Sequence, residues 1–245
     1  MEAQVYQRMA ELDSSHWWFV ARRQILEEII KRIVQPPPNA QILEIGCGTG
    51  HNLEMLSRFG RVTATELDPD ARALATKRLE REVQPTALPD LSAFPERGFD
   101  LIALLDVLEH VADDHSALKA IWARLKPGGR LILTVPANPW MWSAHDVAHH
   151  HHRRYRRAQL ERLAGEAHYE IDLLSPFNTI LFPLIAAARG AGKILGRESA
   201  DDSMPPEAVN SLLRRLFALE SRLVGRIPLP FGVSLVAVLR RPESI

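Results

Sequence analysis

Three groups of residues have the types and spacing for chemistry. The first is Gly46-Cys47-Gly48-Thr49-Gly50, which follows the apolar run Ile42, Leu43, Ile45, while His51 to Leu56 resume at helical spacing. Glycines between a buried strand and a helix let backbone approach a ligand, and the helix's free N–H groups point into the same space. Glu66 lies twenty residues after Gly46, at the end of a second apolar strand, where a carboxylate would grip ribose hydroxyls. The second group is Asp106, Glu109 and His110, at i, i+3 and i+4. On a helix these three share a face, a ligand spacing suited to a divalent cation such as Mg²⁺. The third group begins Trp140-Met141-Trp142-Ser143-Ala144-His145-Asp146 and continues through His149-His150-His151-His152 into Arg153, Arg154, Arg156 and Arg157. Histidine is the natural base near neutral pH, which makes His110 and His145 the candidate bases. The arginines suit an anionic acceptor, with at most two able to face it, unless the whole run is a solvated basic loop.

The elements that must position these groups alternate between strand and helix. Strands are expected at Gln41 to Ile45, Arg61 to Glu66, Phe99 to Leu105, Arg130 to Val135, Tyr169 to Leu174 and Phe231 to Arg240, with a short third strand at Val83 to Thr86. Helices are expected from Ser14 or Ser15 to about Val34, Asp70 to Glu82, Asp113 to Leu125 and Glu207 to Val224. Such alternation implies right-handed crossovers and a parallel sheet. Trp17 and Trp18 near the start of the first helix suit either a lid over a cleft or packing on the sheet edge. Between the last two strands, residues 175–226 form an uncharged stretch, PFNTILFPLIAAA, a charged loop, and a helix with Leu212, Leu213, Leu216, Leu219 and Leu223 as an apolar stripe. This helical insertion is either extra core, a homodimer surface, or a cover resting on a membrane with arginines at its rim.

The 245 residues allow one domain with an embellishment, divided as a cap (1–38), a core (39–174), the insertion (175–226) and the last strand (227–245). Thirty basic residues balance thirty acidic ones, which gives no global field for nucleic acid. A single cysteine, Cys47, excludes an intramolecular disulfide framework and suits a reducing, cytoplasmic compartment, with membrane-peripheral contact through the insertion as the variation. No h-region marks a signal peptide, and no uncharged run reaches the roughly 18–20 residues of a membrane span.

Glu44 before the turn and His51 where a dinucleotide fold places its third glycine resemble motif I of the class I S-adenosylmethionine (SAM)-dependent methyltransferases. The phrases FDLIALLDVLEHV and KPGGRLIL are similar to later motifs of that family, and the resemblance runs from Gln41 to Pro136. It implies an α/β, doubly wound, mostly parallel seven-stranded sheet with an antiparallel last strand. It also implies that Glu44, Gly46, Cys47, Gly48, Gly50, Glu66, Leu67, Ala87, Leu88, Leu105 and Asp106 hold the cofactor. Family members often carry an acid where Ala87 stands, which leaves the adenine to backbone groups or Asp90. The post-strand phrase is also similar to the metal-binding E-x-x-E-H of ubiquinone-pathway and small-RNA O-methyltransferases, where a further histidine after strand five completes the site. Asp106 replaces the first glutamate of that phrase. The expected acceptor is a hydroxyl on a small or lipid-linked molecule. Carbon or nitrogen acceptors and a non-catalytic SAM-binding subunit are the alternatives.

Overall fold

The apolar run before the glycine turn forms β1 (Ala40–Ile45), buried at every residue except Gln41. It pairs in parallel with β2 (Gly60–Thr65) on one side and β3 (Phe99–Leu105) on the other. Beyond β3 come β4 (Leu125–Pro136), β6 (Ser234–Arg240) and β5 (Glu170–Phe177), for a sheet order β2-β1-β3-β4-β6-β5. Only β6 runs antiparallel to its neighbours. The computed structural model describes residues 10–195 and 204–243, so the first nine residues of the cap, the charged loop at 196–203 and the end of the chain lie outside the described residues.

Successive side chains of a strand point to opposite faces, and that alternation divides the core. Ile42, Leu101 and Ala103 pack with α1 (Trp17–Ile29), α2 (Leu53–Ser57) and α3 (Pro69–Leu79) on one face. Leu43, Ile102 and Leu104 pack with α4 (Asp114–Arg124) and α6 (Arg157–Glu166) on the other. The short α5 (Ala144–Ala148) lies between β4 and α6. Helices on both faces of a mostly parallel sheet are the doubly wound arrangement that the family resemblance implied.

The third strand of the expected seven is reduced to one parallel bridge between Thr65 and Gln84, which leaves six strands in the sheet among the described residues. Thr86 N, the next donor in that register, bonds back to Gln84 O at 3.0 Å instead of extending the ladder. β4 starts earlier than expected, because Leu125 already pairs with Phe99, with a register shift before Arg130 meets Leu101. The first helix is capped by His16 rather than Ser14 or Ser15, with His16 Nδ1 accepting from Trp18 N at 3.4 Å. It continues through a π-helical turn, Ile30–Val34, before the prolines.

The insertion forms α7 (Phe182–Leu195) and α8 (Glu207–Ala218). Phe217 of α8 is fully buried and stacks on Trp18 at 5.2 Å, with Phe177 behind it at 6.0 Å. Asn210 of α8 accepts from Trp17 N at 2.8 Å and donates to Ser15 O at 2.9 Å, closing the start of α1 from almost two hundred residues away. The tryptophans thus join a core shared with the insertion. The leucine stripe is split: Leu213, Leu216 and Leu223 pack on the core, while Leu212 and Leu219 are 56% and 47% exposed. Among the described residues no helix is long and apolar enough to cross a membrane.

Candidate active site

A cavity of about 1140 Å³ opens at the carboxyl ends of the strands, where the loops after β1, β2, β3 and β4 meet α1 and the insertion. That edge is where open α/β sheets bind ligands. Gly46, Cys47, Gly48, Glu66, Leu67, Ala87, Leu88, Leu105 and Asp106 all line it. Glu44 and Gly50, expected among the cofactor ligands, stand behind its wall.

The glycine turn explains that division. Gly48 has φ +56°, and a Cβ built there would meet nothing within 4 Å because it would project into open cavity. Gly50, at φ +84°, would instead drive a Cβ to 2.7 Å from Leu53 and 3.0 Å from Ala75, so it serves packing of α2 against α3. Glu66 holds the turn in shape. Its Oε2 accepts from Gly48 N at 2.7 Å and its Oε1 from Asp68 N at 3.0 Å. Glu44 accepts from Asn52 Nδ2 at 2.9 Å through Oε1, while its buried Oε2 has no partner among the described residues. Burial pushes its carboxyl up to about 7, against the opposing hydrogen bond from Asn52. Cys47 is buried, and desolvation raises its thiol so far that it is an inert filler of the turn.

Asp106 does not share a helical face with Glu109 and His110. It takes a left-handed conformation at φ +58°, and only Leu108–His110 form a 3₁₀ turn. Its carboxylate turns instead to Arg22 of α1, with Asp106 Oδ2 2.7 Å from Arg22 Nη2. Arg22 is 2% exposed, and the same Nη2 donates to Thr134 Oγ1 at 2.9 Å. His51 also lines the cavity beside Phe19, its two ring nitrogens buried and unpaired among the described residues. Burial, reinforced by Arg22, Arg23 and Arg78, holds it neutral, well below the usual imidazole range.

The histidine run resolves into one placed imidazole and its neighbours. Asp146, fully buried in α5, accepts from Ser143 N at 2.8 Å, from Arg154 Nε at 2.8 Å and from His151 Nδ1 at 2.9 Å. Burial alone would raise this carboxyl, but the hydrogen bonds from His151 and Arg154 hold it well below the usual carboxylate range. A hydrogen bond on Nδ1 leaves the other ring nitrogen of His151 as the basic one. That Nε2 lies 4.0 Å from Glu109 Oε1, and the ring meets His110 at 4.7 Å. Burial lowers the His151 imidazole, with Asp146 opposing, and burial brings His110 to about 4. The carboxyl of Glu109 is pushed well above its ordinary value by burial and then by the charge of Asp106.

Of the two expected bases, His145 lines the cavity beside His149 at 4.1 Å and His110 stands against His151. Neither is reached by the Asp146 hydrogen bond. Of the four arginines of the run, Arg154 lines the cavity, while Arg153, Arg156 and Arg157 do not. Arg153 pairs with Asp114 at 2.7 Å, and Arg154 is spent on Asp146 and Ala137 O. His151, Arg22 and Asn178 were missed as site residues from the sequence. His151 had a legible signal, an aspartate five residues earlier, although nothing separated it from its three neighbours.

A family profile described as "Methyltransferase domain" matches residues 19–174, well over half of the chain. The chain belongs to this class I, SAM-dependent methyltransferase family. A segment is 36% identical over 105 residues to the ubiquinone biosynthesis O-methyltransferase of Xanthomonas axonopodis pv. citri, covering 40% of this chain and 44% of that protein. The chain therefore spans less than half the length of the curated relatives it matches. Among solved structures, the methyltransferase complexed with the Trm112 activator of Haloferax volcanii superposes with a TM-score of 0.66 at 18% identity, over 99% of this chain and 96% of that one. The geranyl diphosphate C-methyltransferase of Streptomyces coelicolor, complexed with Mg²⁺, geranyl diphosphate and S-adenosyl-L-homocysteine, gives 0.61 at 14% identity over 88% and 79%. At those identities the likeness is one of fold.

The cavity fits the family's cofactor. The space beyond Gly48 that a Cβ would enter, the Glu66 carboxylate beside it and the Ala87–Leu88 wall suit a ribose and an adenine. Asp90 takes no part in that wall and instead accepts from Ser92 N. A cation fits differently from expectation. Glu109, His110 and His151 offer donor atoms within 4.8 Å of one another, with Asp106 outside the group. Two imidazoles and one buried carboxyl do not suit Mg²⁺, which prefers oxygen ligands in an octahedron; they suit a borderline ion.

Proposed function

We propose that this methyltransferase methylates a hydroxyl oxygen on a small or lipid-linked acceptor, with His151 as the base. The observation that supports this reading is the Asp146–His151 pair at 2.9 Å, whose imidazole shares one cavity with the Glu66-held glycine turn. SAM supplies a methyl group made electrophilic by its sulfonium. The residues of the chain orient, enclose and deprotonate. Glu66 keeps lone pairs for ribose hydroxyls while its backbone bonds fix the turn. Arg22 and His51 face the methionine end, one as a cation and one as a neutral donor–acceptor. Asp146 fixes the tautomer of His151, and Nε2 takes the proton of the acceptor hydroxyl as the oxygen becomes nucleophilic.

A second reading rests on the Glu109, His110 and His151 cluster, which would hold a borderline divalent cation and bind the acceptor oxygen directly. Activity in excess chelator separates the two. The experiment for the function itself is methyl transfer from labelled SAM into a metabolite and lipid extract. It should yield a labelled methyl ether in the wild type and lose it in His151→Ala. A labelled N- or C-methyl product would move the reading to those acceptors.

The lipid-linked acceptor is supported by an apolar rim. Trp140 is 61% and Leu184 62% exposed, and Phe182 lies between Trp140 at 6.1 Å and Phe231 at 5.0 Å. Ile185 and Arg189 of the same helix line the cavity, so the rim adjoins its mouth.

A further inference from the structure

The chain leaves β5 at Phe177, and the next residue, Asn178, takes the left-handed conformation at φ +56°. It is 1% exposed, it lines the cavity, and neither Oδ1 nor Nδ2 has a hydrogen-bond partner among the described residues. A buried amide with nothing to pair is rare and costly, and in a cavity wall it marks the place of a ligand group.

The backbone around that amide is tied down. Ile180 N donates to Glu220 Oε1 at 2.8 Å, and the N–H groups of Asn178 and Thr179 also point at this carboxylate. Thr179 Oγ1 donates to Phe231 O at 2.6 Å, and Val233 N donates to Asn178 O at 3.4 Å. Glu220 is itself fully buried. A buried acid thus clamps a left-handed turn, and the turn's own side-chain amide, at Asn178, is left without a hydrogen-bond partner among the described residues, as is Glu220 Oε2 behind it.

We infer that Asn178 reads the acceptor's polar head, a neutral group that both donates and accepts hydrogen bonds, such as a hydroxyl or carboxamide. An asparagine amide offers one acceptor oxygen and two N–H donors. A hydroxyl or carboxamide satisfies both ends. A carboxylate or phosphate would leave Oδ1 facing a second negative oxygen, and an ammonium would leave Nδ2 unpaired. Pro136, Ile185 and Val233 in the same lining supply apolar walls for the rest of the molecule. The inference rests on the methyltransferase reading of the cavity and adds the class of acceptor to it.

The test uses the full chain saturated with S-adenosyl-L-homocysteine, titrated with benzamide and, separately, benzoate, by ligand-observed NMR. Asn178→Gly and Asn178→Asp both tolerate the left-handed backbone. Calorimetry with S-adenosyl-L-homocysteine serves as the folding control for each. The expected result is benzamide binding preferred over benzoate in the wild type and weakened about tenfold in Asn178→Gly, with homocysteine-cofactor affinity unchanged. Asn178→Asp, which loses both N–H donors, should weaken benzamide as well. Equal binding of the two probes by the wild type, or benzamide affinity unchanged in either variant, overturns the inference. Failure of the wild type to bind S-adenosyl-L-homocysteine would instead sink the reading of the cavity beneath it.

Discussion

Arg22 Nη2 lies 2.7 Å from Asp106 Oδ2, which ties the first helix to the left-handed residue that follows β3. The two partners are unequally buried, 3% and 32% exposed in their side chains. Removing a partner hurts most when the charge left behind is the one cut off from water. Asp106→Asn, which suits the left-handed backbone, should therefore cost about 3 kcal/mol by leaving the guanidinium uncompensated. Arg22→Met should cost less, since Asp106 can hydrate. Urea unfolding of both variants and the double mutant decides it, and an equal or reversed order would show that Arg22 matters for packing alone.

Glu66 is the cheapest handle on the cofactor. Glu66→Ala removes both the acceptor of the Gly48 and Asp68 N–H groups and the proposed ribose partner. Affinity for S-adenosyl-L-homocysteine should fall by about 1–3 kcal/mol in calorimetry. Unchanged affinity in a folded variant would place the ribose elsewhere.

His151 should govern turnover without governing cofactor affinity. His151→Ala is expected to lower kcat by roughly 10²–10⁴-fold, the range of general-base catalysis. Asp146→Asn should follow in the same direction, because the tautomer is no longer held. Since burial lowers the His151 imidazole, the base stays deprotonated as pH falls through 6.5, and the acid limb of the pH–rate profile should lie below that value. His145→Ala turning over as slowly as His151→Ala would return the role to the earlier candidate. Restoration of chelator-treated enzyme by zinc-type ions would favour the cation reading.

Glu44 gives a stability test with a defined sign. Its folded-state value of about 7 lies above the ordinary 4.5, so the native state holds a proton that the unfolded chain has released between those values. Stability should therefore fall as pH rises from about 4.5 to 7 and stay reduced above. Glu44→Gln keeps an amide oxygen for Asn52 and removes the charge. It should gain up to about 3 kcal/mol over wild type at pH 8, with the gain vanishing near pH 4.5. A pH-independent difference in thermal or urea unfolding would sink the assignment.

The rim yields the last test. Leu181 is only 4% exposed, so a polar residue there would damage the core; Trp140, Leu184 and Phe231 are the outward members. The triple serine variant should lose affinity for vesicles of neutral and anionic phospholipid while keeping S-adenosyl-L-homocysteine affinity. Wild-type protein that ignores such vesicles would remove the membrane contact and leave the rim as an entry for small acceptors.

The strand, the glycine turn, Glu66 at its spacing and the order of elements were all legible in the sequence. Each depends on backbone demands that close within a few residues: two-sided burial of an apolar run, positive φ at Gly48, and a proline-started helix after Asp68. The fold decided what depends on closure over long separations. Four adjacent histidines read alike, and only the loop that brings Asp146 against His151 gives one of them a fixed tautomer. Asp106 has helical spacing to Glu109 and His110 on paper, yet Arg22, more than eighty residues earlier, offers its carboxylate a buried partner and takes it out of the group. Asn178 looks like an ordinary turn residue until Glu220 secures the backbone around it and the cavity forms beside its amide. A sequence states which groups exist; their partners are chosen by burial, which removes water as the alternative.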